Sequence, residues 1–120
     1  MNGYLLVMLG GALGSGARYG LGRAVTAWLG AGFPWGTLSV NVLGGLAAGL
    51  VAGVLLRVDG AEGWRLLLSV GFLGGFTTFS SFALDLVALL DRASIGLSLV
   101  YTTLSLLGAI AGVYLGRALA

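Results

Sequence analysis

Gly71-Phe72-Leu73-Gly74-Gly75-Phe76-Thr77-Thr78-Phe79-Ser80-Ser81-Phe82 stands in the middle of an apolar run from Leu66 to Leu90. A run of that length crosses a bilayer, which takes about 20 apolar residues. Its centre nevertheless holds adjacent glycines, Gly74 and Gly75, and four hydroxyls, Thr77, Thr78, Ser80 and Ser81. Glycine costs helix stability, and Thr and Ser side chains compete for backbone hydrogen bonds. The stretch therefore predicts a membrane helix broken at mid-depth, with the break over Gly74 to Thr77. Backbone freed inside a membrane must be buried in protein or line a watery cavity. Broken helices of this kind are where transport proteins hold ions.

The rest of the chain agrees with a membrane setting. Of its 120 residues 58% are hydrophobic and 8% charged, with a mean hydropathy of +1.06. A soluble domain carries roughly a quarter charged residues, so the surplus apolar surface must face lipid. Four apolar segments emerge: Tyr4 to Trp28, Gly36 to Leu56, Arg65 to Leu90 and Ile95 to Gly116. Each fits the roughly 17–25 residues of a spanning helix. Short connections join them at Leu29 to Trp35, Arg57 to Trp64 and Asp91 to Ser94, and Trp28, Phe33, Trp35 and Trp64 flank the spans as interfacial aromatics do. The N-terminus lacks a basic region and a cleavage site, so Tyr4 onward reads as a first membrane helix rather than a signal peptide. The reading is one all-α membrane domain, residues 1–120, of four transmembrane helices with the third broken.

The chain has 23 glycines, and their spacing carries information. Gly10 and Gly14, Gly16 and Gly20, Gly45, Gly49 and Gly53, and Gly108, Gly112 and Gly116 recur at every fourth residue. Small residues at that interval line one helix face and let backbones approach closely. Tight packing within one four-helix bundle accounts for most of them; dimer contact through some is an additional inference.

Charge and missing residue types exclude several functions. There is no His and no Cys, which removes disulfides, thiol chemistry, the usual transition-metal ligands and the commonest general base. The cations are six arginines, scattered rather than clustered on a face as a nucleic-acid footprint requires. Four spans put both termini on one side of the membrane with Arg57, Arg65 and Arg117, leaving Arg23, Arg92 and the deeper Arg18 on the other. Orientation normally follows an excess of Lys and Arg on cytoplasmic loops, and this balance gives almost no instruction. Insertion both ways would permit an antiparallel, dual-topology homodimer, and so short a chain needs a second copy to build a pathway.

The candidate functional residues lie inside the spans. Arg18 is deep in the first, in Gly10-Gly11-Ala12-Leu13-Gly14-Ser15-Gly16-Ala17-Arg18-Tyr19. An intramembrane Arg faces a water-filled cavity or a partner; it would attract an anion or pair with Asp85, and the two are not exclusive. Asn41 is the only amide of the second span, in Gly36-Thr37-Leu38-Ser39-Val40-Asn41-Val42-Leu43-Gly44-Gly45. It either bonds a neighbouring helix or offers its two donors to an anion. Phe79 and Phe82 share a face if the helix resumes after the break. That spacing is usually packing, but ring edges are positive and could hold a small anion without trapping it. Ser98, Tyr101, Thr102 and Ser105 form one stripe on the fourth helix, as interhelical glue or as a hydrogen-bonding track.

Together, the stretches Gly10 to Tyr19, Gly36 to Gly45 and Gly71 to Phe82 resemble the three signature stretches of the Fluc (CrcB) family of fluoride channels. The resemblance extends to chain length, four spans and absent orientation bias, and Gly-Gly-x-Thr-Thr-Phe-Ser-x-Phe is a specific pattern. Leu73 stands where many members have Cys and Ser81 where many have Thr; neither change removes a hydroxyl or an aromatic. The resemblance implies an antiparallel homodimer in the plasma membrane, with two fluoride pores lined by both subunits, through which fluoride leaves the cell passively. It implies a structural Na+ held at the dimer centre by backbone carbonyls matching Gly74 and Thr77, and fluoride coordination by ring edges matching Phe79 and Phe82. Asn41 matches the pore amide and Arg18 the vestibule arginine, while Ser80, Ser81, Tyr101 and Ser105 resemble the polar track. Partners on this reading are fluoride, the bilayer and a second copy, with no nucleic acid.

Three rival readings are weaker. A small multidrug exporter needs a carboxylate in its first helix, and no acid precedes Asp59. A purely structural membrane protein predicts that Phe79 and Asn41 tolerate isosteric change. A membrane enzyme lacks its chemistry, since Asp85 is the only acid within the spans.

Overall fold

The computed structural model describes residues 2–92 and 94–120, and every described element is helical. Helix α1 covers Gly3–Leu29; the Asn2 side chain caps it by accepting from the Tyr4 amide, and Gly30, at φ 85°, closes it by donating to Thr26 O. Only glycine takes that left-handed turn at little cost. Pro34 precedes α2, Trp35–Leu55. Residues 62–76 form one continuous rod, α3, in three pieces: Glu62–Trp64, a π-helical stretch Arg65–Leu73, and a last α turn Gly74–Phe76. After residues 77–79 the chain resumes as α4, Ser80–Arg92. Helix α5, Ile95–Leu119, starts at Ser94, whose Oγ accepts from the Leu97 amide. The expected connection at 91–94 includes Ala93, which lies outside the described residues.

The long axis of the molecule is 49 Å, matching the roughly 40–45 Å of a bilayer with its headgroup layers. Three helical segments are long and apolar enough to cross a membrane: Trp35–Leu55, Glu62–Arg92 counted through its break, and Ile95–Leu119. The expected fourth, α1, has the length, about 40 Å at 1.5 Å per residue. Its glycines together with Arg18 and Arg23 leave it less apolar than the others.

Two glycine seams hold the bundle. A Cβ added at Gly45 would stand 2.4 Å from Ala109 O, one at Gly49 2.2 Å from Val113 O, and one at Gly116 2.2 Å from Leu46 O. The α2 and α5 backbones therefore touch. The second seam joins α1 to α3: a Cβ at Gly10 would meet Leu67 O at 2.2 Å, one at Gly14 Phe72 O at 2.0 Å, and one at Gly75 Gly11 O at 2.5 Å. The four-residue spacing of the sequence is thus packing within the protomer for Gly10, Gly14, Gly45, Gly49 and the α5 glycines. Among the described residues a Cβ added at Gly16 or Gly20 would meet nothing within 4 Å.

The second seam corrects the expected site of the break. Gly74 and Gly75 are helical, and the chain leaves the helix only at Thr77, whose backbone is extended at φ −85°, ψ 156°. Gly75 is small because α1 lies against it, and the helix ends for another reason. The Thr77 hydroxyl and amide both donate to Leu73 O, at 2.9 Å each, and the next amide, Thr78 N, turns to the Asn41 side chain. Hydroxyl and amide side chains, rather than glycine, end this helix.

The buried side-chain cluster is Leu38, Phe82, Leu89 and Tyr101, with Phe33, Val42 and Leu86 against it; Val40 and Leu73 are buried outside it. The Tyr101 ring stands edge-on to Phe33 at 5.5 Å and tilted on Phe82 at 5.1 Å. Outside it large apolar residues lie open, among them Tyr4, Trp28, Leu84 and Leu107. So wide an exposed apolar surface suits lipid rather than water.

Candidate functional site

The break at 77–79 is held open by one side chain from the neighbouring helix. Asn41 Nδ2 donates to Thr78 O at 3.0 Å, and Thr78 N donates to Asn41 Oδ1 at 2.9 Å. The amide thus pairs with the Thr78 peptide much as a second backbone strand would. The two bonds fix which end of the amide is oxygen and spend one of its two N–H groups, leaving one free. Thr78 in turn sets the start of α4: its Oγ1 accepts from Ser81 N at 3.1 Å, as an N-cap does. Phe79 O then takes the first regular helical bond, from Ala83 N at 2.9 Å.

The carbonyls around the break divide into satisfied and free. Leu73 O accepts twice from Thr77, Gly75 O accepts from Arg18 Nε at 3.0 Å, and Thr78 O accepts from Asn41. Among the described residues no hydrogen bond reaches Gly74 O or Thr77 O, because Thr78 N goes to Asn41 and Ser81 N to Thr78 Oγ1. Both residues border an open cavity.

Two cavities flank the break. The first, of about 630 Å³, is polar and is lined by Arg18, Arg23, Arg92, Thr37, Thr78, Ser81 and Asp85. Three arginines face one carboxylate there, so its field favours anions. Arg18 and Asp85 share this cavity without forming an ion pair: Arg18 bonds Gly75 O, and Asp85 accepts from the Tyr101 hydroxyl at 3.2 Å. Among the described residues the one ion pair is Arg65–Glu62, far from the cavity in sequence and exposed. The remaining Arg18 nitrogens are left to the cavity.

The second cavity, of about 490 Å³, is mostly apolar and carries a few polar groups: Asn41, Ser69, Thr77, Thr78 and Ser105, beside Gly74, Phe79 and Phe82. The two phenylalanine rings are 5.7 Å apart and tilted by 41°. They differ sharply in exposure: Phe82 is 8% exposed and Phe79 77%. Among the described residues Ser105 Oγ is buried without a hydrogen-bond partner. An unpaired buried hydroxyl costs about 1–3 kcal/mol, and this one borders the cavity that the rings line.

The structure gathers Asn41, Gly74, Thr77, Phe79, Phe82 and Ser105 round one cavity and Arg18 and Ser81 round the other. Ser80 lines neither; it is exposed, with its Oγ 3.4 Å from Thr78 Oγ1. Tyr101 lines neither as well, being wholly buried with its hydroxyl on Asp85. Ser98 and Thr102, also on the α5 stripe, bond back to carbonyls of their own chain at Ser94 and Ser98. The stripe is thus mostly internal glue, with Ser105 the hydroxyl left over. The residue that sequence reasoning passed over is Thr78. Its available signal was a hydroxyl three residues ahead of Ser81 at the start of a helix, the spacing of an N-cap.

An all-helical membrane bundle with a broken helix wedged open by an amide, between a cationic and an aromatic cavity, has the build of an ion-conducting protein. The family described as CrcB-like protein, Camphor Resistance (CrcB), matches residues 5–117, and the chain belongs to that family. Its curated relatives include the protein named fluoride-specific ion channel FluC of Phenylobacterium zucineum, 47% identical over 100% of this chain and 96% of the relative. Two proteins of the same name, from two strains of Thermus thermophilus, are also similar. One is 54% identical over 84% of this chain and 81% of its own length. The other is 52% identical over 97% of this chain and 94% of its own length. With three apolar spanning segments, membership makes the chain a multi-pass protein of the cell membrane.

Proposed function

We propose that this chain is a subunit of a fluoride-selective channel, not an enzyme, through which fluoride leaves the cell passively. The observation that carries the reading is the break itself. Asn41 pins Thr78 so that Phe79 stays exposed beside the buried Phe82 and the unpaired Ser105 hydroxyl. Fluoride holds its water strongly, so a pore must return donors for those it removes. The free N–H of Asn41, the Ser105 hydroxyl and the positive ring edges of Phe79 and Phe82 are such donors. None is a fixed charge, so the ion is compensated without being trapped, as conduction demands. Arg18, with Arg23 and Arg92, raises the anion concentration at the mouth.

The functional unit on this reading is an antiparallel homodimer with two pores, in which α1 makes the fourth crossing. The flat distribution of arginines supports it, and so does the open flank of the aromatic cavity, where Phe79 would otherwise face lipid. The free carbonyls of Gly74 and Thr77 suit a hard monovalent cation, and the residues fit a structural Na+ shared by two broken helices at the dimer centre. Bound there, the ion would supply positive charge to carbonyls that the break leaves unpaired. The expected flux is independent of any sodium gradient.

The test is anion efflux from liposomes holding purified protein. Fluoride efflux far above chloride efflux is expected; equal rates, or none for fluoride, would overturn the reading.

A further inference from the structure

Only one residue, Thr78, borders both cavities among the described residues. An ion travelling from the arginine-lined cavity to the aromatic one passes the shared wall there. The inference rests on the fluoride-channel reading and adds a residue to it. Thr78 is half-buried, and its peptide is pinned on both sides by Asn41, so the wall is fixed in place.

The Thr78 hydroxyl has an unusual balance. It accepts from Ser81 N at 3.1 Å, which orients the oxygen toward α4. A hydroxyl carries one donor and two acceptor lone pairs, so its own proton remains to be placed. The nearby Ser80 Oγ is 3.4 Å away, long for an O–H···O bond, and either oxygen of that pair can donate. A weakly engaged O–H at the boundary of two cavities is a donor that a small anion can take for the time of its passage. The same proton would not help a cation, and a larger, weakly hydrated anion would gain less from it.

We propose that Thr78 is the hand-over residue between the two cavities, its hydroxyl donating to the anion as it leaves the arginines and before it reaches the phenylalanine rings. Position and donor are supplied by different bonds: Asn41 fixes where the residue stands, and the Ser81 amide fixes which way its oxygen points.

Three substitutions separate the donor from the cap, read by fluoride efflux from liposomes and by thermal unfolding in detergent. Thr78→Ser keeps both and should conduct within about threefold of the parent, under 1 kcal/mol at the barrier. Thr78→Val keeps the shape and loses the hydroxyl, and should slow efflux by more than about tenfold. Thr78→Asp caps a helix at least as well as Thr, so its unfolding midpoint should stay near the parent's, but it offers an anion no donor and should also lose more than about tenfold. Parent-like efflux from Thr78→Val or Thr78→Asp would overturn the proposal. So would a Thr78→Ser protein as slow as Thr78→Val, or an unfolded Thr78→Val beside a Thr78→Asp protein that keeps both the parent's midpoint and its efflux, which would leave the hydroxyl a cap alone. A parent that conducts no fluoride defeats the channel reading itself, whereas a conducting parent with indifferent variants defeats only the role of Thr78.

Discussion

The seam between α2 and α5 and the break at residues 77–79 lie side by side and are built on opposite principles. In the seam, glycine lets one backbone lie directly on another, and a single added carbon would meet a carbonyl at 2.2–2.4 Å at Gly45, Gly49 and Gly116. At the break, side chains pin the backbone by hydrogen bonds, and carbonyls, a hydroxyl and a phenyl ring are left over. The seam has no spare atoms and can only hold. The break has spare atoms and can act. Substitutions in the seam should therefore register as lost stability alone, and substitutions at the break as altered conduction, with a loss of stability where the pinning bonds themselves are cut.

The largest stability effect should come from the seam. In Gly49→Val the new Cβ would stand 2.2 Å from Val113 O and 2.9 Å from Arg117 N, both backbone atoms of α5. Neither can rotate away, so the helices must separate, at more than the usual overpacking cost of about 1–3 kcal/mol. The expected result is almost no monodisperse protein on size exclusion; a well-behaved variant with the parent's unfolding midpoint would refute the close-contact account. Asn41→Leu should come next. It leaves both polar groups of the Thr78 peptide unpaired, at about 1–3 kcal/mol each, which thermal unfolding in detergent would read as a lowered midpoint. An unchanged midpoint would mean that Asn41 does not hold the break. Phe82→Ile should cost about 1–3 kcal/mol by reshaping the cluster around Tyr101. No loss of stability is expected from Gly20→Ala, on an exposed stretch of α1 where no atom of the described residues lies within 4 Å of the new carbon. Ala favours helix over Gly by up to about 1 kcal/mol, so the midpoint should hold or rise, and a clear fall would place an unseen contact on that face.

Much of this was legible in the sequence, and the exceptions have physical causes. The helices begin and end close to their predicted limits because Asn2, Gly30, Pro34 and Ser94 are caps and breakers whose chemistry is local. The four-residue glycine intervals announced close helix packing, but not which helix each face would meet, since that depends on residues far apart in sequence. The same limit misplaced the break. Gly74 and Gly75 read as weak helix formers by propensity, yet the Gly11 backbone beside Gly75 makes glycine the residue that fits a helix there. The π-helical turn at Arg65–Leu73 has no marker in its side chains; it sets the backbone of residues 67–72 against Gly10 and Gly14. Asn41 was legible as a polar residue in a membrane helix, and both readings given to it stay compatible with its geometry: one N–H is glue, one is free. The polar stripe on α5 divided instead, because Ser98 and Thr102 found carbonyls one turn back and Tyr101 found Asp85, leaving Ser105 alone.

Phe79 gives the most direct test of the claim that ring edges carry fluoride through the break. Its ring is 77% exposed and outside the packed cluster, so Phe79→Ile should change protomer stability by no more than about 0.5 kcal/mol, as surface substitutions do. If the ring edge replaces part of the ion's hydration shell, losing it should raise the barrier by about 3 kcal/mol and slow fluoride efflux from liposomes more than a hundredfold. Phe79→Met should be milder, since a polarisable thioether substitutes in part. A folded Phe79→Ile protein that releases fluoride as fast as the parent would contradict the account.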